Sequence, residues 1–189
     1  MRIGTRSLLY GAHCFFIHPW FVALAWTRLF GFPWDPRLWV AFIVHDWGYW
    51  GLPNMDGKEG EQHPIVGAMI MSLFGSKWYW LCLNHSRYFA KWMHEEPSRL
   101  CYADKLSFCL TPWWIYLPMA WTTGELKGYM EDGKRVVAEE PDICGIEELM
   151  SSSDALSWWY GVDARLQRFV EEHKNGEPDN WTVRRDHRE

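Results

Sequence analysis

The chain has 189 residues, 48% of them apolar and 17% aromatic, with 15 tryptophans and a formal net charge of -5 at pH 7. That is enough apolar bulk for one domain with a sizeable core, and a negative balance with no Lys/Arg block excludes a nucleic-acid groove, which needs a basic stripe against phosphates. The five cysteines (Cys14, Cys82, Cys101, Cys109, Cys144) are odd in number and lack CxxC spacing, which argues against a disulfide framework or a thiolate zinc knuckle and fits a reducing cytoplasm.

The opening MRIGTRSLLYGAHCFFIHPW sets basic residues before an apolar run, but it holds two histidines and no small-residue cleavage site, so it is not read as an export signal. Leu8 to Phe32 and Phe108 to Trp121 are strongly apolar. The first carries His13, His18, Pro19 and Arg28, and the second holds Pro112 and Pro118; the second also falls short of the ~20 residues a span requires. Both are read as buried helices and the aromatic residues mostly as core; membrane association is not expected, with surface contact through this Trp-rich material as the lesser alternative.

Asp35-Pro36 is an N-cap followed by Pro at the first helical position, and LWVAFIVHDW continues the helix until Gly48. His45 and Asp46 therefore fall at a helix C-terminal end. The polar, Gly-rich GLPNMDGKEGEQ (51–62) reads as a loop. His63-Pro64 starts the next helix, IVGAMIMSLF, which runs to Gly75; Pro97-Ser98 precedes RLCYADKLSFCL and places Asp104 in mid-helix.

After Gly124 the texture turns charged. Residues 1–124 hold 10 Lys/Arg against 8 Asp/Glu, whereas residues 125–189 hold 9 against 16. Short helices and turns are expected up to Met150. Ser151 to Asp154 then supply capping chemistry for a helix reaching Lys174, stopped by Asn175-Gly176, with Trp158, Val162, Leu166, Phe169 and Val170 along one face. The expected architecture is all-α: a helical core over 1–124, an acidic helical extension over 125–175 packing on it, and a disordered tail over 176–189.

His18, His45, Asp46, His63, His85 and Asp104 form an ordered series, each near a helix end or on a helix face. Imidazole and carboxylate donors without thiolate suit Fe, Mn, Co, Ni or Zn at a working site better than structural zinc. Four His and two Asp exceed the needs of one open ion; two ions sharing a bridging carboxylate would use all six. Neighbouring residues on a helix point about 100° apart, so His45 and Asp46 serve one ion together only if Asp46 lies between both.

In this order the series resembles the HD-domain superfamily of metal-dependent phosphohydrolases, in its six-ligand dinuclear branch. The likeness covers about residues 8 to 110. His18 is followed by Val22-Ala23; AFIVHDWGYWG resembles the HD-x-G segment; HPIVGA, NHSR and YADKLS supply His63, His85 and Asp104. The resemblance implies an HD-type helical bundle in which His18, His45 and Asp104 hold one ion, His63 and His85 the other, and Asp46 bridges. His13 stands as an alternative first ligand, although it lacks the Val-Ala that follows His18; His94 reads as a solvated loop residue.

The same likeness implies a cytoplasmic phosphohydrolase with two divalent transition metal ions, Fe or Mn foremost. A hydroxide held between them would attack a nucleotide or another small phosphate ester. Tyr49 stands where the family often has Lys, so the cation near the phosphate would come from Lys58, Arg87 or Lys105. Glu61, with Glu59 beside it, could replace a carboxylate that some family nucleotidases place after the HD pair, and Tyr49, Trp50 or Trp47 could stack on a ring. Asp46, Lys58, Glu61 and Arg87 are therefore the catalytic candidates. Two other readings share the ligand set: a mixed-valence di-iron oxygenase, and a non-catalytic binding module stabilised by metal.

Overall fold

Proline opens three helices of the first half, at Pro19, Pro36 and Pro64. Its fixed φ suits the first turn, and its missing N–H would have no partner there. Asp35 completes one of these starts, its side chain accepting from the Arg37 backbone N–H at 3.0 Å.

The computed structural model describes residues 1–55, 57–139, 145–179 and 181. The fold is all-α, with no strand among the described residues. In chain order the helices are α1 (Ile3–Tyr10), α2 (His18–Phe30), α3 (Pro36–Val44), α4 (Gly57–Gly60), α5 (Pro64–Met71), α6 (Ser76–Leu83), α7 (Arg87–Trp92), α8 (Arg99–Leu110), α9 (Trp113–Thr123), α10 (Glu125–Glu139), α11 (Glu147–Met150) and α12 (Ala155–His173). Single 3₁₀ turns follow α3, at Trp47–Tyr49, and α5, at Ser72–Phe74.

Helix α8 is the centre of the molecule. Leu100, Cys101, Tyr102, Ala103 and Leu106 are buried on it, in one cluster with Val22, Ala25 and Trp26 of α2 and with Phe169 and Val170 of α12. Phe42, Met71 and Phe169 are fully buried, and each such side chain stabilises the fold by about 1.5–3 kcal/mol. A second cluster, built on Ala120, Leu126, Trp158 and Trp159, fastens α9, α10 and α12 together.

Four expectations change. Residues 125–139 form one 15-residue helix, not short pieces. Gly133 lies inside this helix, and its missing side chain lets α10 dock: a Cβ there would lie 2.8 Å from the Met150 carbonyl oxygen and 2.9 Å from Trp158 Nε1. The segment 51–62 contains the single turn α4 and buries Met55.

The segment read as a tail includes Asp179, which is buried, and Trp181, whose ring meets Phe169 at 5.7 Å and His173 at 5.8 Å; residues 180 and 182–189 lie outside the described residues. The tryptophans are not mostly core either: nine of the fifteen are exposed, Trp34 at 84% and Trp121 at 73%. Among the described residues no helix is long and apolar enough to cross a membrane.

Candidate metal centre

The six donors arrive from five segments. His18 is the first residue of α2, His45 caps the C-terminus of α3, Asp46 precedes the 3₁₀ turn, His63 precedes α5, His85 follows α6, and Asp104 sits in the middle of α8. Helix ends suit such residues because the chain turns there, and a side chain can point along the helix axis into the space between elements. Gly48 sets the distance between two of these ends. A Cβ on it would lie 2.0 Å from the His63 carbonyl oxygen, so only glycine allows the α5 start to close on the 3₁₀ turn after Asp46.

The donor atoms fall into two groups that share Asp46. In the first, His18 Nε2 lies 3.3 Å from His45 Nε2, 3.3 Å from Asp46 Oδ2 and 3.1 Å from Asp104 Oδ1, with His45 Nε2 3.2 Å from Asp46 Oδ2. In the second, His63 Nε2 and His85 Nε2 are 3.1 Å apart and lie 3.6 and 3.5 Å from Asp46 Oδ1. Donors about 2.1 Å from one ion stand about 3.0 Å apart at octahedral angles and about 3.4 Å apart at tetrahedral ones. The measured spacings, 3.1 to 3.6 Å, fall within that range or slightly above it.

Proton positions sharpen the fit. His45 Nδ1 faces the Phe42 carbonyl at 3.0 Å, His63 Nδ1 the Gly60 carbonyl at 2.7 Å, and His85 Nδ1 the Cys82 carbonyl. A carbonyl only accepts, so each Nδ1 carries a proton and each Nε2 faces inward; in the neutral form that Nε2 is a bare lone pair. Two such lone pairs at 3.1 Å repel unless a cation lies between them. Asp46 Oδ2 is likewise buried and accepts no hydrogen bond, an arrangement that is costly without a positive partner.

The local field agrees. Burial alone would raise the Asp46 and Asp104 carboxyls; the facing imidazoles for Asp46, and Lys105 with His18 and His45 for Asp104, hold both well below the ordinary range. Burial opposes charge on His45 and His18, but the two carboxylates override it and push both up, His45 to about 10. His63 moves the other way, held well below its usual value by burial and by His85. The first group therefore draws positive charge through its carboxylates, and the second offers lone pairs. These buried His/Asp groups can hold a metal ion.

No protein-family model matches the chain, and no curated protein or solved structure is significantly similar to it. The case for a metal rests on this chain's own donors.

A cavity of about 440 Å³ opens over the centre, with His63, His85, Asp46 and Asp104 in its wall. His13 borders it too, outside both donor groups: its Nδ1 pairs with Ser7 Oγ at 2.9 Å, its ring lies 5.6 Å from that of His18, and burial pushes it down to about 4. Tyr49 is buried and stacks flat on His63, with centroids 4.1 Å apart and planes 9° apart. Lys105 reaches the cavity with Nζ 3.0 Å from Asp104 Oδ2, and Glu61 also lines it.

Arg87 lines the cavity as well, but its Nε pairs with Asp179 Oδ2 at 3.2 Å and its guanidinium covers Phe169 at 4.2 Å. Trp50 and Trp47 are exposed, at 63% and 41%, and neither lines the cavity. Glu59 is exposed and bonds Asn54 Nδ2 at 3.2 Å; the Lys58 side chain lies outside the described residues. His94 is exposed, in left-handed backbone with φ 57°.

The far wall comes from residues that sequence reading did not single out for the site: Tyr116 of α9, Tyr129 and Arg135 of α10, Trp158 and Arg165 of α12, and Trp181. No local signal marks them. All but Tyr116 lie beyond Gly124, and the packing of α12 on α8 and of α10 on α9 and α12 brings them to the same cavity as the metal donors.

Proposed function

We propose that the protein is a metal-dependent phosphohydrolase with a dinuclear centre of the HD type, acting on a nucleotide or another small phosphate ester. The observation that carries the reading is the division of Asp46: Oδ2 faces His18 and His45 at 3.3 and 3.2 Å, and Oδ1 faces His63 and His85 at 3.6 and 3.5 Å. One carboxylate with an oxygen for each of two donor groups is what a pair of ions requires of a bridging ligand. The order of the six donors along the chain supports the likeness to the HD superfamily. Two divalent transition ions bound there, Fe or Mn by the donor chemistry, would supply an activated water and neutralise charge on a phosphoryl group.

The remaining work falls to this chain's residues. Lys105 and Arg87 line the cavity beside the donors, so a phosphate group entering it meets cations that can orient its oxygens. The carbonyls of Phe42, Gly60 and Cys82 fix the three imidazoles through Nδ1 and keep Nε2 directed inward. Tyr49 holds the His63 ring from its flat side. Tyr116 and Trp158 contribute aromatic surface to the far wall, beside which an aromatic part of the substrate could lie.

The test is phosphate release from a panel of nucleotides and simple phosphoesters by protein loaded with Mn under anaerobic conditions. Release that is lost in Asp46→Ala supports the proposal. Oxygen consumption with a mixed-valence iron signal, and no phosphate release, would identify an oxygenase on the same donors. Fewer than one ion per chain after expression with Fe and Mn would leave a binding module.

A further inference from the structure

We infer that the outer face of α2 and α3 docks on an anionic lipid bilayer. On α2, Trp20 and Leu24 stand one turn apart and are exposed at 66% and 54%; in the connector to α3, Phe32 and Trp34 are exposed at 52% and 84%. These rings form a chain across the two helices: Trp20 meets Trp39 at 5.8 Å, Trp39 meets Phe32 at 6.4 Å, and Phe32 meets Trp34 at 4.6 Å. Ile43, one turn beyond Trp39, continues the face with 42% exposure. A contiguous aromatic surface of this kind is not left to water without a reason.

Charge chooses the occupant. Arg37 and Lys77 lie over Trp78 at 4.7 and 5.9 Å, and Arg99 lies over Phe30 at 5.2 Å, so three cations border the face. The carboxylate among them is Asp35, which pairs with Arg37 at 2.7 Å.

Trp rings on a surface-lying helix and long cations that can reach headgroups are the features of an interfacial contact with anionic lipid. A second copy of the chain fits less well. A two-fold interface would bring Arg37, Lys77 and Arg99 of both copies together against two Asp35 carboxylates. The inference is independent of the metal centre, whose donors lie on the inner ends of these helices.

Vesicle flotation of the full chain tests it, with phosphatidylcholine alone and phosphatidylcholine mixed with phosphatidylglycerol, at low and high salt. The protein is expected to float with the mixed vesicles at low salt and to be released by high salt. Lys77→Gln should weaken binding about fivefold, and Trp20→Ser with Trp34→Ser by more than about tenfold. Trp92→Ser, an exposed tryptophan at the end of α7, should change nothing. Unchanged circular dichroism and melting temperature would show that the variants fold. No flotation with either vesicle, or equal flotation of the Trp20/Trp34 variant, overturns the inference. So does a dimer in sedimentation velocity, without vesicles, that the same double variant abolishes.

Discussion

His63 and His85 face each other Nε2 to Nε2 at 3.1 Å while each gives its Nδ1 proton to a backbone carbonyl, Gly60 and Cys82. Neither inward nitrogen has a proton to share in the neutral state, so in that state the contact favours a cation between the two rings. His63→Ala or His85→Ala should remove the ion on that side and leave the group of His18, His45 and Asp104 loaded. The expected result is close to half the wild-type metal content by elemental analysis, with a folded protein by circular dichroism.

Removal of metal should loosen the fold, because the donors sit at the ends of α2, α3, α5 and α6 and a bound ion ties these ends together. An ion present at 1,000 times its Kd stabilises the folded state by about 4 kcal/mol. Treatment with a chelator should lower the melting temperature, and Mn or Fe should restore it. In a variant that carries Ala at both Asp46 and Asp104, chelator and metal should leave the melting temperature unmoved.

Gly48→Ala should be costly for its size. The added Cβ would fall 2.0 Å from the His63 carbonyl oxygen, a backbone atom that cannot swing away. Overpacking of this kind costs about 1–3 kcal/mol. Urea unfolding should show that loss, and metal affinity should drop with it because His63 is displaced. An unchanged unfolding midpoint would mean that the turn after Asp46 does not set the position of α5.

Arg87 separates two roles. Its guanidinium pairs with Asp179, whose side chain is 4% exposed, and covers Phe169. Arg87→Ala therefore leaves a buried carboxylate without its guanidinium, which should cost about 2 kcal/mol or more of stability while metal content stays at the wild-type level. A rise in KM with unchanged unfolding would instead make Arg87 a substrate residue with no structural part.

Glu125 gives the fold a pH dependence away from the centre. It is 2% exposed, accepts from the Ala12 backbone N–H and the Tyr129 hydroxyl, both at 3.3 Å, and burial raises its pKa above the usual 4.5 in spite of these bonds. A raised folded-state value means that folding favours the protonated form. The stability that it contributes is complete below the unfolded value and is lost as pH rises through the folded one. Glu125→Gln should match the wild type near pH 4 and melt at a higher temperature at pH 8. An equal melting temperature at pH 8 would contradict a strained buried carboxylate.

Much of the centre was legible because helix boundaries carry strong local signals. His18-Pro19, the Asp35-Pro36 start that leads to His45-Asp46, and His63-Pro64 each mark where a helix begins or ends, and donors at such points can converge. The partners of those donors were not legible. Arg87 meets Asp179 from 92 residues away, and nothing local tells a tail residue that will be buried from one that will not. Apolar spacing on α2 likewise tells that Trp20 and Leu24 share a face with each other, but not whether another helix covers that face. Nor does the sequence tell that Trp158 packs into the space that Gly133 leaves.

The most direct test of a pair of ions sharing Asp46 is the metal content of the purified protein, combined with X-ray absorption to measure the spacing between ions. Two ions per chain, about 3.5–4 Å apart, with both lost in Asp46→Ala, are the predicted result. One ion or fewer in the wild type, or an Asp46→Ala protein that keeps two, would contradict it.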